Sequence, residues 1–277
     1  SIADEFTAGI EKLVDDFGFD GIYLDGTGMV WDCKNTAHGC GYYDEKGNLK
    51  PTYPIFGVRR LLKNLYNIFE KRGKTINCHV SDCICTAGIS FAHALWLGEY
   101  IQYSLVKFGA DEMPEGYLRS THNGRNIGIP TEFIVYENKP VWSFDNALAF
   151  SLVNGVLPRP NDIEKPLEKM SEIWKIIDDF PISDSQWNPY YKPEEMPFKC
   201  GSGQVKISGY RYSKDGKNKW LLFIANSKTC DIEKCEISGF DGFKTVSDAY
   251  TDERLLVKNG FITLNLKSFD HYIIVAV

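Results

Sequence analysis

The first pattern along the chain is helical. Apolar residues recur every three or four positions from Phe6 to Phe17, with acids and a lysine between them, and this spacing predicts an amphipathic helix. A short apolar run, Ile22–Leu24, follows between glycines and ends on Asp25. The chain is therefore expected to pass from a helix through a tight turn into a buried strand with a carboxylate at its C-terminal end.

Helical and strand patterns continue to alternate as far as residue 180. Helical patterns cover 58–72, 143–153 and 163–177, and strand patterns cover 22–24, 75–82, 93–99, 132–137 and 155–159. Strands that alternate with helices form a parallel sheet, and five predicted strands are fewer than the eight of a closed barrel. The sheet is therefore either open or the C-terminal portion of a (β/α)8 barrel. In the second case we expect an N-terminal segment before Ser1 to complete the barrel, since Ser1 is not a start methionine.

The pattern changes near Phe180–Pro197, a stretch rich in proline and tyrosine. Beyond it, β-branched and aromatic runs alternate with turn sequences such as Ser213–Asn218 and Asn259–Gly260, which predicts an antiparallel β-sandwich. We expect an α/β fold in which residues 1–180 form the open sheet or barrel portion and residues 181–277 form the sandwich. The sandwich is expected to carry no catalytic group.

Charge and composition limit the classes of partner that the chain is expected to bind. The 277 residues carry a net charge of −6 without any basic run, so a nucleic-acid partner is not expected. No apolar run approaches the roughly 20 residues that span a bilayer, so no membrane partner is expected either. Aromatic residues make up 14% of the chain, which suits stacking on sugar rings as well as a large core.

Eight cysteines leave several possibilities open. Cys33 and Cys40 lie in one predicted loop, and Cys230 and Cys235 are also close in sequence. Such pairs fit small disulfide loops in a secreted protein, which favours an extracellular or periplasmic location, but they also occur as free thiols. Cys33, His38 and Cys40 are possible zinc ligands, although their spacing matches no standard structural site and a fourth ligand is not evident.

Several short motifs follow one another along the chain: Asp20-Gly-Ile-Tyr-Leu-Asp25-Gly-Thr27, His38-Gly-Cys-Gly-Tyr-Tyr43, His79-Val-Ser81, Gly98-Glu99 and Gly128-Ile-Pro130. In this the chain resembles large bacterial glycoside hydrolases related to family 123, and more broadly retaining glycosidases of the α-galactosidase type. The resemblance implies a (β/α)8 catalytic domain whose first strands lie upstream, a β-sandwich after it, and cleavage of a carbohydrate substrate.

One position departs from the family 123 pattern. Those enzymes resemble the substrate-assisted hexosaminidases, which carry an adjacent Asp-Glu pair at a strand end. Here Asp25 is followed by Gly26, so the substrate-assisted mechanism is not expected to carry over.

Glycoside cleavage requires two carboxyl groups, one protonated to release the leaving group and one ionised as nucleophile or base. Asp25 and Glu99 both end apolar strands and are the predicted catalytic pair, with Asp25 as nucleophile or base and Glu99 as acid. The structural alternative is that Glu99 pairs with an arginine, Arg119 or Arg159. Glu137, at the end of the fourth strand, is the reserve acid.

The remaining candidates are predicted to bind substrate. His79 and Asp82 end the strand between the two acids, where they would contact sugar hydroxyls or the carboxylates. Trp31 and Tyr43, together with Tyr42, offer a stacking surface, unless they only hold their loop together. No cofactor is required by this chemistry.

Two rival functions stay open. One is a non-catalytic carbohydrate-binding protein on a degenerate barrel, which differs from the enzyme in whether two carboxyls converge. The other is a metal-dependent hydrolase that uses Cys33, His38, Cys40 and His79.

Overall fold

A computed structural model describes residues 2–26, 31–80, 84–97, 116, 119–120, 125–126, 128–135, 143–160 and 167–277. The chain divides into two compact units, Ser1–Leu97 with Ile127–Thr131, and Gly98–Asn126 with Glu132–Val277. None of the described helices is long and apolar enough to span a membrane.

Among the described residues, the helices with eight or more residues are α1 (Ile2–Phe17), α2 (Ile55–Glu70), α4 (Phe144–Val153) and α5 (Leu167–Asp178), and α3 is a single turn (Thr86–Ile89). Two 3-10 turns cover Thr36–His38 and Ile182–Asp184. The strands of the first half are β1 (Gly21–Leu24), β2 (Tyr42–Tyr43), β3 (Leu49–Lys50), β4 (Thr75–His79), β5 (Ala94–Leu97), β6 (Arg125–Asn126), β7 (Ile129–Val135) and β8 (Leu157–Pro160). Those of the second half are β9 (Gln186–Asn188), β10 (Lys199–Cys200), β11 (Val205–Lys214), β12 (Lys217–Asn226), β13 (Ile232–Ser238), β14 (Val246–Asp248), β15 (Phe261–Leu266) and β16 (His271–Ala276).

The predicted parallel sheet is present. In the first unit β1 pairs with β4 and β4 with β5, all parallel, and the strand order continues to β7. In the second unit β7 pairs with β8, again parallel. The order β1-β4-β5-β7 follows the chain, as expected where helices and strands alternate, and both β6 and β8 pair with β7.

The sheet of the first unit has one apolar face, which explains why these strands form where they do. Leu24, Ile76, Cys78, Leu95 and Leu97 alternate along the strands and are at most 4% exposed. They belong to one core cluster with Leu62, Leu65 and Phe69 from the apolar stripe of α2, and with Val14 of α1. Full burial of each such side chain stabilises the fold by about 1.5–3 kcal/mol. The residues between them occupy the opposite face, where the candidate site lies.

The long segment before α2 is more regular than its sequence suggests. Residues 31–54 contain the antiparallel hairpin β2–β3, in which Tyr42 pairs with Lys50, and a bridge between Cys33 and Thr52. The hairpin turn is held by Asp44, whose Oδ1 accepts hydrogen bonds from the backbone N–H groups of Lys46 and Asn48. Strands of two residues are too short to show an alternating pattern, so only a loop was predictable here.

The second half is antiparallel, as predicted. A five-stranded sheet has the order β14-β16-β12-β11-β9, and a three-stranded sheet has the order β10-β13-β15. Asp215 and Gly216 have φ of 52° and 73°, and Asn259 and Gly260 have φ of 51° and 77°, the positive values that tight hairpin turns require. Both predicted turns are therefore confirmed.

Strand β12 is buried on both faces. Trp220, Leu222 and Ile224 belong to the core between the two sheets, whereas Leu221 and Phe223 belong to a second core shared with α4. Every residue from Trp220 to Asn226 is buried, which explains why this strand is continuously apolar instead of alternating.

Stability is expected to fall in mild acid because of His271. This side chain in β16 is 7% exposed, and burial, assisted by Lys169, lowers its pKa to about 4. The unfolded chain, with a histidine pKa of about 6.5, then binds the proton more readily, so the stability contributed by neutral His271 is complete above about pH 6.5 and is lost as the pH falls toward 4. The loss is on the order of 3 kcal/mol.

Urea unfolding measured at a series of pH values tests this expectation. With a chelator present to remove metal ions, His271→Gln should flatten the pH dependence, while His38→Gln, a change at an exposed histidine, should leave it unchanged. An equally steep decline in the His271→Gln protein would contradict the assignment.

Candidate active site

Asp25 lies at the C-terminal end of β1. The chain turns at Gly26, whose φ of 65° lies in the left-handed region that favours glycine. The Asp25 side chain is 74% exposed, and its Oδ1 lies 3.4 Å from Nδ1 of His79. The carboxylate therefore faces solvent at the strand edge while contacting one buried base.

His79 is the last residue of β4 and is 6% exposed. Its Nδ1 also lies 2.5 Å from the hydroxyl of Tyr23. The Tyr23 ring packs against Trp96 of β5, with a centroid distance of 4.3 Å. Three neighbouring strands thus each contribute a polar or aromatic side chain to one cluster.

The register of the sheet creates this cluster. Tyr23 pairs with Asn77, and His79 pairs with Trp96. Paired residues in a parallel sheet point to the same face, and so do residues two apart on one strand. Tyr23, Asp25 and His79 therefore share the face opposite the helices, at the carboxyl edge of the strands, which is where parallel α/β folds bind their ligands.

Tyr23 and Trp96 were not among the predicted site residues. Both lie in short apolar runs, Ile22–Leu24 and Ala94–Leu97, whose members all look like core residues. The signal that could have found them is the strand period of two, since each is the central aromatic between positions that face the helices.

The arrangement links a hydroxyl, an imidazole and a carboxylate through one nitrogen. When Nδ1 of His79 is unprotonated, it accepts the hydrogen bond of the Tyr23 hydroxyl. When Nδ1 carries a proton, it donates toward the Asp25 carboxylate or the Tyr23 oxygen. In both states His79 connects the Tyr23 hydroxyl and the Asp25 carboxylate at the strand edge.

Two predicted stacking residues lie in the segment that follows. Trp31 is 67% exposed, and its Nε1 donates a hydrogen bond to the carbonyl of Gly26 at 3.4 Å. This contact holds the indole beside the residue that follows Asp25. Tyr43 is exposed on the hairpin, in β2.

Glu99, Asp82 and Glu137 lie outside the described residues. Of the two arginines that were alternative partners for Glu99, Arg159 contacts Glu132, with 3.5 Å between Nη1 and Oε2. The guanidinium of Arg119 lies over the ring of Tyr191, 5.0 Å from its centroid.

The described cysteines are free thiols: Cys33, Cys40, Cys78, Cys85, Cys200, Cys230 and Cys235. Cys200 lies next to Cys235, with 3.2 Å between the sulfurs. Burial raises the pKa of the Cys78 thiol to about 12, so Cys78 is a core residue rather than a nucleophile.

The four residues of the metal-hydrolase hypothesis do not form one group. Cys33, His38 and Cys40 cluster, while His79 contacts Tyr23 and Asp25.

The sequence matches no known protein family and no curated protein. The structure is similar to the α-amylase of Geobacillus thermoleovorans, solved with acarbose, with a TM-score of 0.61, 9% identity and coverage of 100% of this chain and 64% of the amylase. It is also similar to an Anoxybacillus α-amylase (TM-score 0.58, 9% identity, 100% and 63% coverage) and to a GH27 β-L-arabinopyranosidase of Geobacillus stearothermophilus (TM-score 0.50, 8% identity, 98% and 60% coverage).

At such identities the likeness shows a shared fold and no shared residues. The chain spans about three fifths of the length of these enzymes. It therefore has a glycoside hydrolase-like fold, with a parallel sheet followed by antiparallel sheets.

Proposed function

We propose that the chain is the C-terminal portion of a (β/α)8 barrel, residues 1–180, followed by a β-sandwich, residues 181–277, and that it cleaves glycosidic bonds in a carbohydrate substrate. The observation that supports this most is the position of Asp25. It is an exposed carboxylate at the carboxyl edge of a parallel sheet, in contact with a buried histidine, and that edge forms the active site in barrel enzymes.

Asp25 is proposed as the ionised carboxylate, either nucleophile or base for water, and Glu99 as the acid. Glu99 follows Leu97, the last residue of β5, by two positions in the sequence. In the sheet, β5 is separated from β1 only by β4. Glu137 takes the acid role if Glu99 does not. His79 orients Asp25, Asp82 binds sugar hydroxyls, and Trp31 and Tyr43 stack on the sugar rings.

Hydrolysis of a panel of nitrophenyl glycosides by the intact protein tests this proposal. Release of nitrophenol from at least one sugar is expected, and NMR of the first anomer formed distinguishes retention from inversion. Saturable binding of oligosaccharides without turnover would instead favour the carbohydrate-binding alternative.

Tyr23→Phe is expected to lower kcat by roughly ten-fold, because it removes the hydroxyl that lies 2.5 Å from His79 Nδ1 and leaves the ring packed on Trp96. The loss should fall on kcat more than on KM if Tyr23 positions His79. Tyr53→Phe removes the same hydroxyl from an exposed tyrosine outside the proposed site and should be neutral. If the two substitutions lowered kcat equally, the Tyr23 hydroxyl would have no positioning role in the site.

A further inference from the structure

A second cluster of reactive side chains lies in the segment before the β2–β3 hairpin. One ligand atom from each of Cys33, His38 and Cys40 lies within 4.8 Å of the others. The Cys33 sulfur and the His38 Nε2 are 3.8 Å apart. In tetrahedral zinc sites, with bonds of about 2.3 Å to sulfur and about 2.0 Å to nitrogen, neighbouring ligand atoms are roughly 3.5–3.8 Å apart. The cluster is already close to that size.

The backbone holds the two cysteines in place before any ion binds. Cys33 and Thr52 exchange two backbone hydrogen bonds of 2.8 and 2.9 Å, so Cys33 is anchored at the base of the hairpin. The N–H of Cys40 donates to the carbonyl of Asn35 at 3.1 Å. These hydrogen bonds hold the chain between Cys33 and Cys40 in a closed loop. Less conformational freedom is therefore lost when a metal ion binds.

The same loop turns His38 toward the sulfurs. The Asn35 side chain accepts a hydrogen bond from the Ala37 N–H and caps the 3-10 turn that carries His38, and Gly39, with φ of 83°, reverses the chain after it. The N–H of Asn35 lies 3.5 Å from the Cys33 sulfur. Such N–H contacts to sulfur are typical of the outer shell of thiolate metal sites, where they orient the ligand.

We propose that Cys33, His38 and Cys40 bind one zinc ion and that the ion stabilises the folded conformation of residues 31–54. Two sulfurs with one imidazole select zinc over the oxygen-preferring ions Mg²⁺ and Ca²⁺. Cys40 is buried, whereas His38 is exposed, so the ion lies at the surface and water completes its fourth position. This site is separate from the Asp25 cluster and does not depend on the glycosidase proposal.

Cobalt titration of chelator-treated, reduced protein tests the site directly. One equivalent of Co²⁺ should bind with a thiolate charge-transfer band and the strong visible bands of tetrahedral coordination, and Zn²⁺ should displace it. Zn²⁺ should also raise the thermal midpoint of the wild-type protein. Cys33→Ser should weaken metal binding by at least about 100-fold and abolish the thermal shift. Because Cys33 is only half-buried, the serine should leave the fold intact. The circular dichroism spectrum of the Cys33→Ser protein should therefore match that of the wild type.

The matched control is Cys230→Ser, which changes an exposed cysteine of the second unit and should bind Co²⁺ normally. His38→Ala should weaken binding while both sulfurs remain. The proposal is overturned if Cys33→Ser binds Co²⁺ as the wild type does. It is also overturned if the reduced protein gives no charge-transfer band, or if Cys33 and Cys40 resist reduction as a disulfide.

Discussion

Asp25→Asn is expected to lower the rate of glycoside cleavage by roughly a thousand-fold or more, since it removes the charge that acts as nucleophile or base and keeps the side chain's shape. The fold should be unaffected, because the Asp25 side chain is 74% exposed. The measurement is kcat/KM on an activated nitrophenyl glycoside, together with the thermal midpoint of each protein.

Asp20→Asn is the matched control for this substitution. Asp20 is exposed and directly precedes β1, so the same change of charge is made at the opposite end of the same strand, and activity should be retained. If Asp25 is a nucleophile, azide should partly restore turnover of Asp25→Gly by attacking the anomeric carbon as the phenolate leaves, and a glycosyl azide should form. Full activity of the Asp25→Asn protein would mean that another acid has the catalytic role.

Phe198→Ala is expected to lower the free energy of unfolding by about 3–5 kcal/mol. Phe198 is 1% exposed in the core between the two antiparallel sheets. Its ring lies 4.7 Å from that of Phe240 and meets Trp220 edge-on at 5.2 Å. Truncation would leave a cavity among rigid rings that cannot close on it.

The control for this change is Phe261→Ala. Phe261 begins β15 in the same sandwich but is 43% exposed, so removal of the same atoms should lower the free energy of unfolding by less than about 1 kcal/mol. Urea unfolding followed by tryptophan fluorescence compares the two. Similar losses from both substitutions would mean that the ring cluster around Phe198 contributes no special stability.

Features that depend on neighbouring residues were predictable from the sequence. The apolar spacing of 58–72 predicted α2, and the turns at Asp215–Gly216 and Asn259–Gly260 followed from residues that tolerate positive φ. Cys33, His38 and Cys40 were noted together because they lie within eight residues of one another. Whether they share an ion was not predictable, because that depends on the side-chain directions set by the 3-10 turn.

Features that depend on strand pairing were less predictable from the sequence. Cys230 and Cys235 are close in sequence, yet Cys235 lies beside Cys200, because β10 pairs with β13. The contact of Tyr23 with His79 likewise joins residues 56 positions apart. Sequence pattern predicts the strands, but their register determines which side chains meet.

The two-sided burial of β12 has a consequence for how the sandwich reaches its native state. A slip of one residue in a strand normally exposes its apolar face to water, and this opposes mispairing. A slip of one residue in Trp220–Asn226 is not opposed in this way, because both faces of this segment are apolar. Correct alignment must then come from the Asp215–Gly216 turn and from Gly209, where a Cβ would lie 2.6 Å from the Leu221 carbonyl oxygen. Until that hairpin closes, this uncharged apolar segment is prone to aggregate with another copy.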